Sequence, residues 1–135
     1  MKIVLEKRKD PLGGYDYSWY IEEPDTREDI EKVIEAFVSL CDDVWISFDG
    51  YHDMDTHENH VSFRSMEEFR NGRDEVDRIG ADACSVHGDI DGERGVVLRF
   101  SFYGDSNNGV VFYVIANSEE VQKKCDRALR ETLMK

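Results

Sequence analysis

Hydrophobic and polar positions alternate with a period of two along much of this chain, and in two stretches the period lengthens to that of a helix. Ile3, Val4 and Leu5 begin a strand. Tyr15, Tyr17, Trp19 and Ile21 then alternate with Asp16, Ser18, Tyr20 and Glu22, the pattern of a half-buried strand closing a hairpin. Asp10-Pro11-Leu12-Gly13-Gly14 between them has the composition of a turn. After Pro24, Ile30, Val33, Ile34, Phe37, Val38 and Cys41 fall on one helical stripe, so a helix is expected near 26–41, capped by Asp25 or Thr26. Glu28, Asp29 and Glu31 sit in its first turn, where the helix dipole favours negative charge.

Val44 to Phe48 and Val61 to Phe63 read as two strands joined by a long loop. Ser65 and Glu68 have the spacing of a capping box, and Met66, Phe69, Val76 and Ile79 make an apolar edge interrupted at Asn71-Gly72. A short or broken helix ending near Gly80 follows. Three strands come next, Cys84 to Ile90, Gly95 to Tyr103 and Gly109 to Ala116, with Asp91-Gly92 as hairpin-turn chemistry and 104–108 as a loop. Val110 to Ile115 is nearly all apolar and belongs inside the sheet. Ser118 caps a last helix whose inner stripe is Val121, Cys125, Ala128, Leu129, Thr132 and Leu133, and whose outside carries Lys123, Lys124, Arg127, Arg130 and Lys135.

The order ββαββαβββα implies one α+β domain over residues 1–135. The expected architecture is a mostly antiparallel sheet of about five to seven strands, with the helices near 26–41 and 118–133 packed on one face. Hairpins and meanders, rather than βαβ crossovers, are expected to link the strands.

Charge changes the picture more than size does. The 135 residues carry a net charge of -13. Between 21 and 60, thirteen carboxylates face only Arg27 and Lys32, a local balance of -11. Such a field repels phosphates and anionic membrane surfaces and attracts cations. Cys41, Cys84 and Cys125 form no CxxC, and Cys41 and Cys125 fall on the apolar helix stripes, which suits buried thiols in a reducing compartment. With no apolar leader and no membrane-length apolar run, a cytoplasmic, soluble protein is the expectation.

The connection from Asp49 to His60 concentrates the unusual chemistry. His52, His57 and His60, with Asp53, Asp55 and Glu58, offer nitrogen and oxygen ligands to a divalent metal. The ligand set to test is His52, His57 and His60 with Asp53 or Asp55. The spacing matches no established metal motif. His57-Glu58-Asn59-His60 is one residue short of HExxH, and an EF-hand loop starting at Asp53 would need glycine at Glu58 and an acid at Arg64. A nuclease built on Asn59 and His60 is disfavoured by the acidic surroundings. Cys84 and His87 should point to opposite faces of a strand, which disfavours a catalytic pair, and neither a P-loop nor a dinucleotide fingerprint is present. Tyr17, Trp19 and Trp45 fit either an exposed aromatic patch or the core, and the core is expected because large aromatics are usually buried.

The reading that follows is a small acidic cytoplasmic protein-binding module, favoured over an enzyme without deciding that question. An inhibitor or immunity-type protein that engages a basic partner through residues 22–58 is its concrete form, with Asp49, Tyr51, Asp53, Asp55 and Glu58 as contacts. It needs no cofactor, membrane or direct nucleic-acid contact, and homo-oligomerisation is compatible with it. The alternative is a divalent-metal enzyme or sensor built on the loop 52–60.

Overall fold

The computed structural model describes residues 3–7, 17–21, 27–50, 59–101 and 110–133. In chain order they form β1 (Ile3–Lys7), β2 (Tyr17–Ile21), α1 (Arg27–Val38), β3 (Asp42–Gly50), β4 (His60–Phe63), α2 (Met66–Asn71), α3 (Arg73–Arg78), β5 (Ala81–Ile90), β6 (Glu93–Ser101), β7 (Val110–Ile115) and α4 (Glu119–Leu133). The turn expected at 10–14, the cap at Asp25 or Thr26 and the loop 104–108 lie outside the described residues.

The seven strands make one sheet in the order β1-β2-β7-β6-β5-β3-β4, and every neighbouring pair is antiparallel. The α+β class, the strand number and the inside position of β7 are as the pattern implies. Asp91 and Gly92 turn β5 into β6 with φ of 51° and 85°, the paired positive values that a two-residue type I′ turn needs.

The expectation of hairpins without crossovers needs correction. β4 and β5 both run antiparallel to β3, so they are parallel to each other, and α2–α3 carries the chain over β3 between them. Likewise β2 and β3 point the same way with β7, β6 and β5 between them, so α1 carries the chain across three strands. Period-two alternation assigns each residue a face but says nothing about which strand lies next door.

All the helices pack on one face. Val44, Ile46 and Phe48 of β3, Cys84, Val86 and Ile90 of β5, Val96, Leu98 and Phe100 of β6, and Phe112 and Val114 of β7 form one buried cluster with the helices. To it α1 contributes Ile30, Val33, Ile34 and Phe37, and α4 contributes Val121, Cys125 and Leu129. Phe69 of α2 stacks on Phe48 at 5.2 Å between ring centroids.

Helix ends show how local sequence sets local structure. Ser65 accepts the amide of Glu68 at 3.1 Å as the N-cap of α2, while the Glu68 carboxylate takes the amide of Arg64 instead of that of Ser65, a capping box displaced by one residue. The break between α2 and α3 has a tertiary cause. A Cβ on Gly72 would lie 2.3 Å from Cε1 of Phe63, so only glycine lets that ring approach the backbone. Ser118 accepts the amide of Val121 at 3.3 Å, and Glu93 of β6 adds bonds to the amides of Asn117 and Ser118 at 2.8 and 2.9 Å.

Because α1 ends at Val38, Cys41 lies in the turn beyond the helix rather than on its stripe, half-buried, with its thiol donating to the Phe37 carbonyl oxygen at 3.2 Å. Burial pushes the Cys41 and Cys125 thiols up to about 12, and Cys84 well above its ordinary range, so all three stay protonated near neutral pH. Among the described residues, no helix is long and apolar enough to cross a membrane.

Candidate functional site

Every described helix lies on one side of the sheet, and no described helix lies over the other face. Alternation along β3 sends Trp45, Ser47 and Asp49 there, in antiphase with the buried Val44, Ile46 and Phe48. Register carries the row onward: Trp45 pairs with His87, His87 with Val97 and Val97 with Ile115. A second row runs from Ser62 through Ser47 and Ser85 to Arg99. Trp45 thus stands opposite His87, beside a row of three serines and Arg99.

Trp45 is 45% exposed, the large hydrophobic residue that stands out to solvent among the described residues. The expectation that it belongs to the core is thus overturned. Its place in the alternation already carried that signal, but the general tendency of tryptophan to be buried outweighed it. The guanidinium of Arg64 lies 4.9 Å from the Trp45 ring centroid, within cation–π range, and also bonds Asp43. Asp43 itself has φ of 53° at a bulge in the β3–β5 ladder, an excursion that Asp tolerates better than most residues. The side chains of Tyr17 and Trp19 lie outside those described.

At the far end of β3, His60 of β4 faces Asp49 in register, and its Nδ1 lies 2.7 Å from the Asp49 carboxylate. An ionised carboxylate can only accept, so Nδ1–H is the donor in this contact. This is the one contact among the expected site residues that can be placed. Tyr51, His52, Asp53, Asp55, His57 and Glu58 lie outside the described residues. Among the described residues, no group of three or more histidine, cysteine, aspartate or glutamate side chains is arranged to hold a metal ion.

Cys84 is buried and His87 is exposed on the opposite face, as strand geometry requires. Partial burial, and then the Arg99 charge, hold the His87 imidazole below its ordinary value of 6.5.

The acidic segment is less concentrated in space than along the chain. Glu31 forms a fork with Arg73, both bonds 2.6 Å, Glu35 pairs with Arg70 at 2.9 Å, and Asp43 pairs with Arg64. Four carboxylates between 31 and 49 thus meet bases from the stretch 60–73, counting the Asp49–His60 pair. Moreover, α1 lies on the covered face and Asp49 on the opposite one, so the described part of this segment, 27–50, does not present a single surface. Local charge counting missed these partners because they are up to 42 positions away. The exposed pairs are worth about 0–1 kcal/mol each. The Glu31–Arg73 fork is more specific, because Glu31 is only 16% exposed and both carboxylate oxygens are used.

No family model, curated protein or solved structure matches this chain.

Proposed function

We propose that this chain is a protein-binding module whose sheet face opposite the described helices receives a basic protein, in the manner of an inhibitor or immunity-type protein. The observation that carries the reading is Trp45, exposed on the sheet face opposite the described helices and stacked with Arg64. Aromatic and arginine side chains of this kind anchor interfaces, because they bury much area at little entropic cost. The net charge of -13 selects the sign of the partner and speeds its encounter. Asp49 borders this face, and the connection bearing Tyr51, Asp53, Asp55 and Glu58 departs from the same end of β3. These residues supply the steering, and Trp45 supplies the contact.

The test starts from recovery of a stoichiometric basic partner on the wild-type chain, followed by association and dissociation rates for variants. Trp45→Ala should raise the dissociation rate by about tenfold or more. Joint neutralisation of Asp53, Asp55 and Glu58 should slow association and reduce its salt dependence. A partner that binds both variants like wild type, or a partner that is itself acidic, overturns the reading.

A further inference from the structure

The covered side of the sheet also holds a cleft. α1 packs along α4, and ion pairs join it to α2 and α3, Glu35 to Arg70 and Glu31 to Arg73. Between α1 and those two short helices lies a cavity of 370 Å³. Ile30 and Ile34 line it from α1, Phe69 from α2, Val76 from α3, and Phe48 and Ala81 from β3 and β5. Ile34, Phe48 and Phe69 are already sealed in the core. Val76 and Ala81 are only half-buried, so apolar surface remains there for a guest to take from water.

That volume lies within the range of small-molecule sites, about 300–1,000 Å³. The charged groups at the cleft decide what kind of head a guest can carry. Arg73 lines it with Nε and Nη2 forked onto the two oxygens of Glu31, both bonds 2.6 Å. An anion that approaches this guanidinium meets the Glu31 carboxylate as well, and a cation that approaches Glu31 meets the guanidinium. Either would lose hydration without gaining an unopposed charge. A neutral oxygen loses much less, and the Nη1 of Arg73, which the fork leaves out, has two N–H groups to donate to it. Asp77 stands at the exposed edge and already has an interaction of its own, so the fork decides the head.

We propose that this cleft binds a small uncharged molecule with an apolar body and one hydroxyl or carbonyl oxygen, the body against Ile30, Val76 and Ala81 and the oxygen at Arg73.

Methyl-detected NMR of the full chain, titrated with octanol, octylammonium and octanoate, tests this by keeping the body and changing the head. The titrations run at about 0.15 M salt, where the general acidic field is screened. Octanol should shift the methyl groups of Ile30, Ile34 and Val76 with saturation at one equivalent, and both charged probes should bind at least about fivefold more weakly. Removing one member of the fork should turn the preference. Glu31→Gln leaves the Arg73 charge unopposed and should make octanoate the tightest probe, whereas Arg73→Gln should make octylammonium the tightest. Val76→Phe, which fills the cleft, should abolish the saturable shifts. Octanol shifts scattered over the surface without saturation, a charged probe binding wild type as tightly as octanol, or full octanol binding by a folded Val76→Phe variant would each sink the proposal. An unchanged order of the three probes in either fork variant would do the same, and that arm decides alone if Val76→Phe does not fold.

Discussion

The two faces of this sheet are made by the same strands and differ in almost everything else. On β3, Ile46 and Phe48 are sealed under the helices while Trp45, one residue away, stands in solvent. On β5, Val86 is fully buried and His87 is exposed. Strand propensity does not separate them, since Trp45 is as good a strand former as Phe48. Coverage does, because α1, α2, α3 and α4 all lie on one side. The open face is not uniformly polar either: Val97 is 8% exposed there, in the row containing His87 and Ile115. A sheet face that keeps aromatic and aliphatic residues without a helix above them is a surface suited to a partner.

The largest test of this contrast is energetic. Phe37→Ala, on the covered side, should cost about 3–5 kcal/mol in urea denaturation, because a fully buried ring leaves a cavity. Trp45→Ala should cost less, about 1–2 kcal/mol, since 45% of the residue is already in solvent and only its partial burial and its contact with Arg64 are lost. Equal losses would mean that Trp45 is covered in solution and that the two faces are alike. An intermediate effect is expected at the sheet's end, where Gly72→Ala must push Phe63 away from the α2–α3 junction. The change should lower stability by about 1–3 kcal/mol despite the better helix propensity of alanine. Stabilisation by that substitution would show that the ring yields freely and that the break in the helix is a matter of propensity alone.

The smallest effect belongs to His87 on the open face. Its folded value lies below 6.5, so as pH falls the unfolded chain takes up the proton first. The stability contributed by neutral His87 is therefore complete above 6.5 and is lost as pH falls through that value toward the folded one. Between about pH 7.5 and about pH 5.5, His87→Gln should lose less stability than wild type in parallel denaturant titrations. Identical losses would place the acid sensitivity elsewhere.

What the sequence determined by itself was local. The stripe Ile30, Val33, Ile34, Phe37 and the stripe Val121, Cys125, Leu129 are helical because their spacing leaves one apolar face, and both are buried. Ser65, Ser118 and Asp91-Gly92 mark two caps and a turn because the chemistry required there reaches only a few residues along the chain. Alternation also assigned the faces of β3 and β5, and read strictly it placed Trp45 outside the core. What tertiary structure alone decided was adjacency. Period two does not say that β3 lies beside β5 or β7 beside β2, so the paths of α1 and α2–α3 across the sheet were not legible. Nor was the neutralisation of Glu31, Glu35 and Asp43 by Arg73, Arg70 and Arg64. Each depends on groups distant along the chain brought together by the fold, and at those separations the sequence pattern carries no distance.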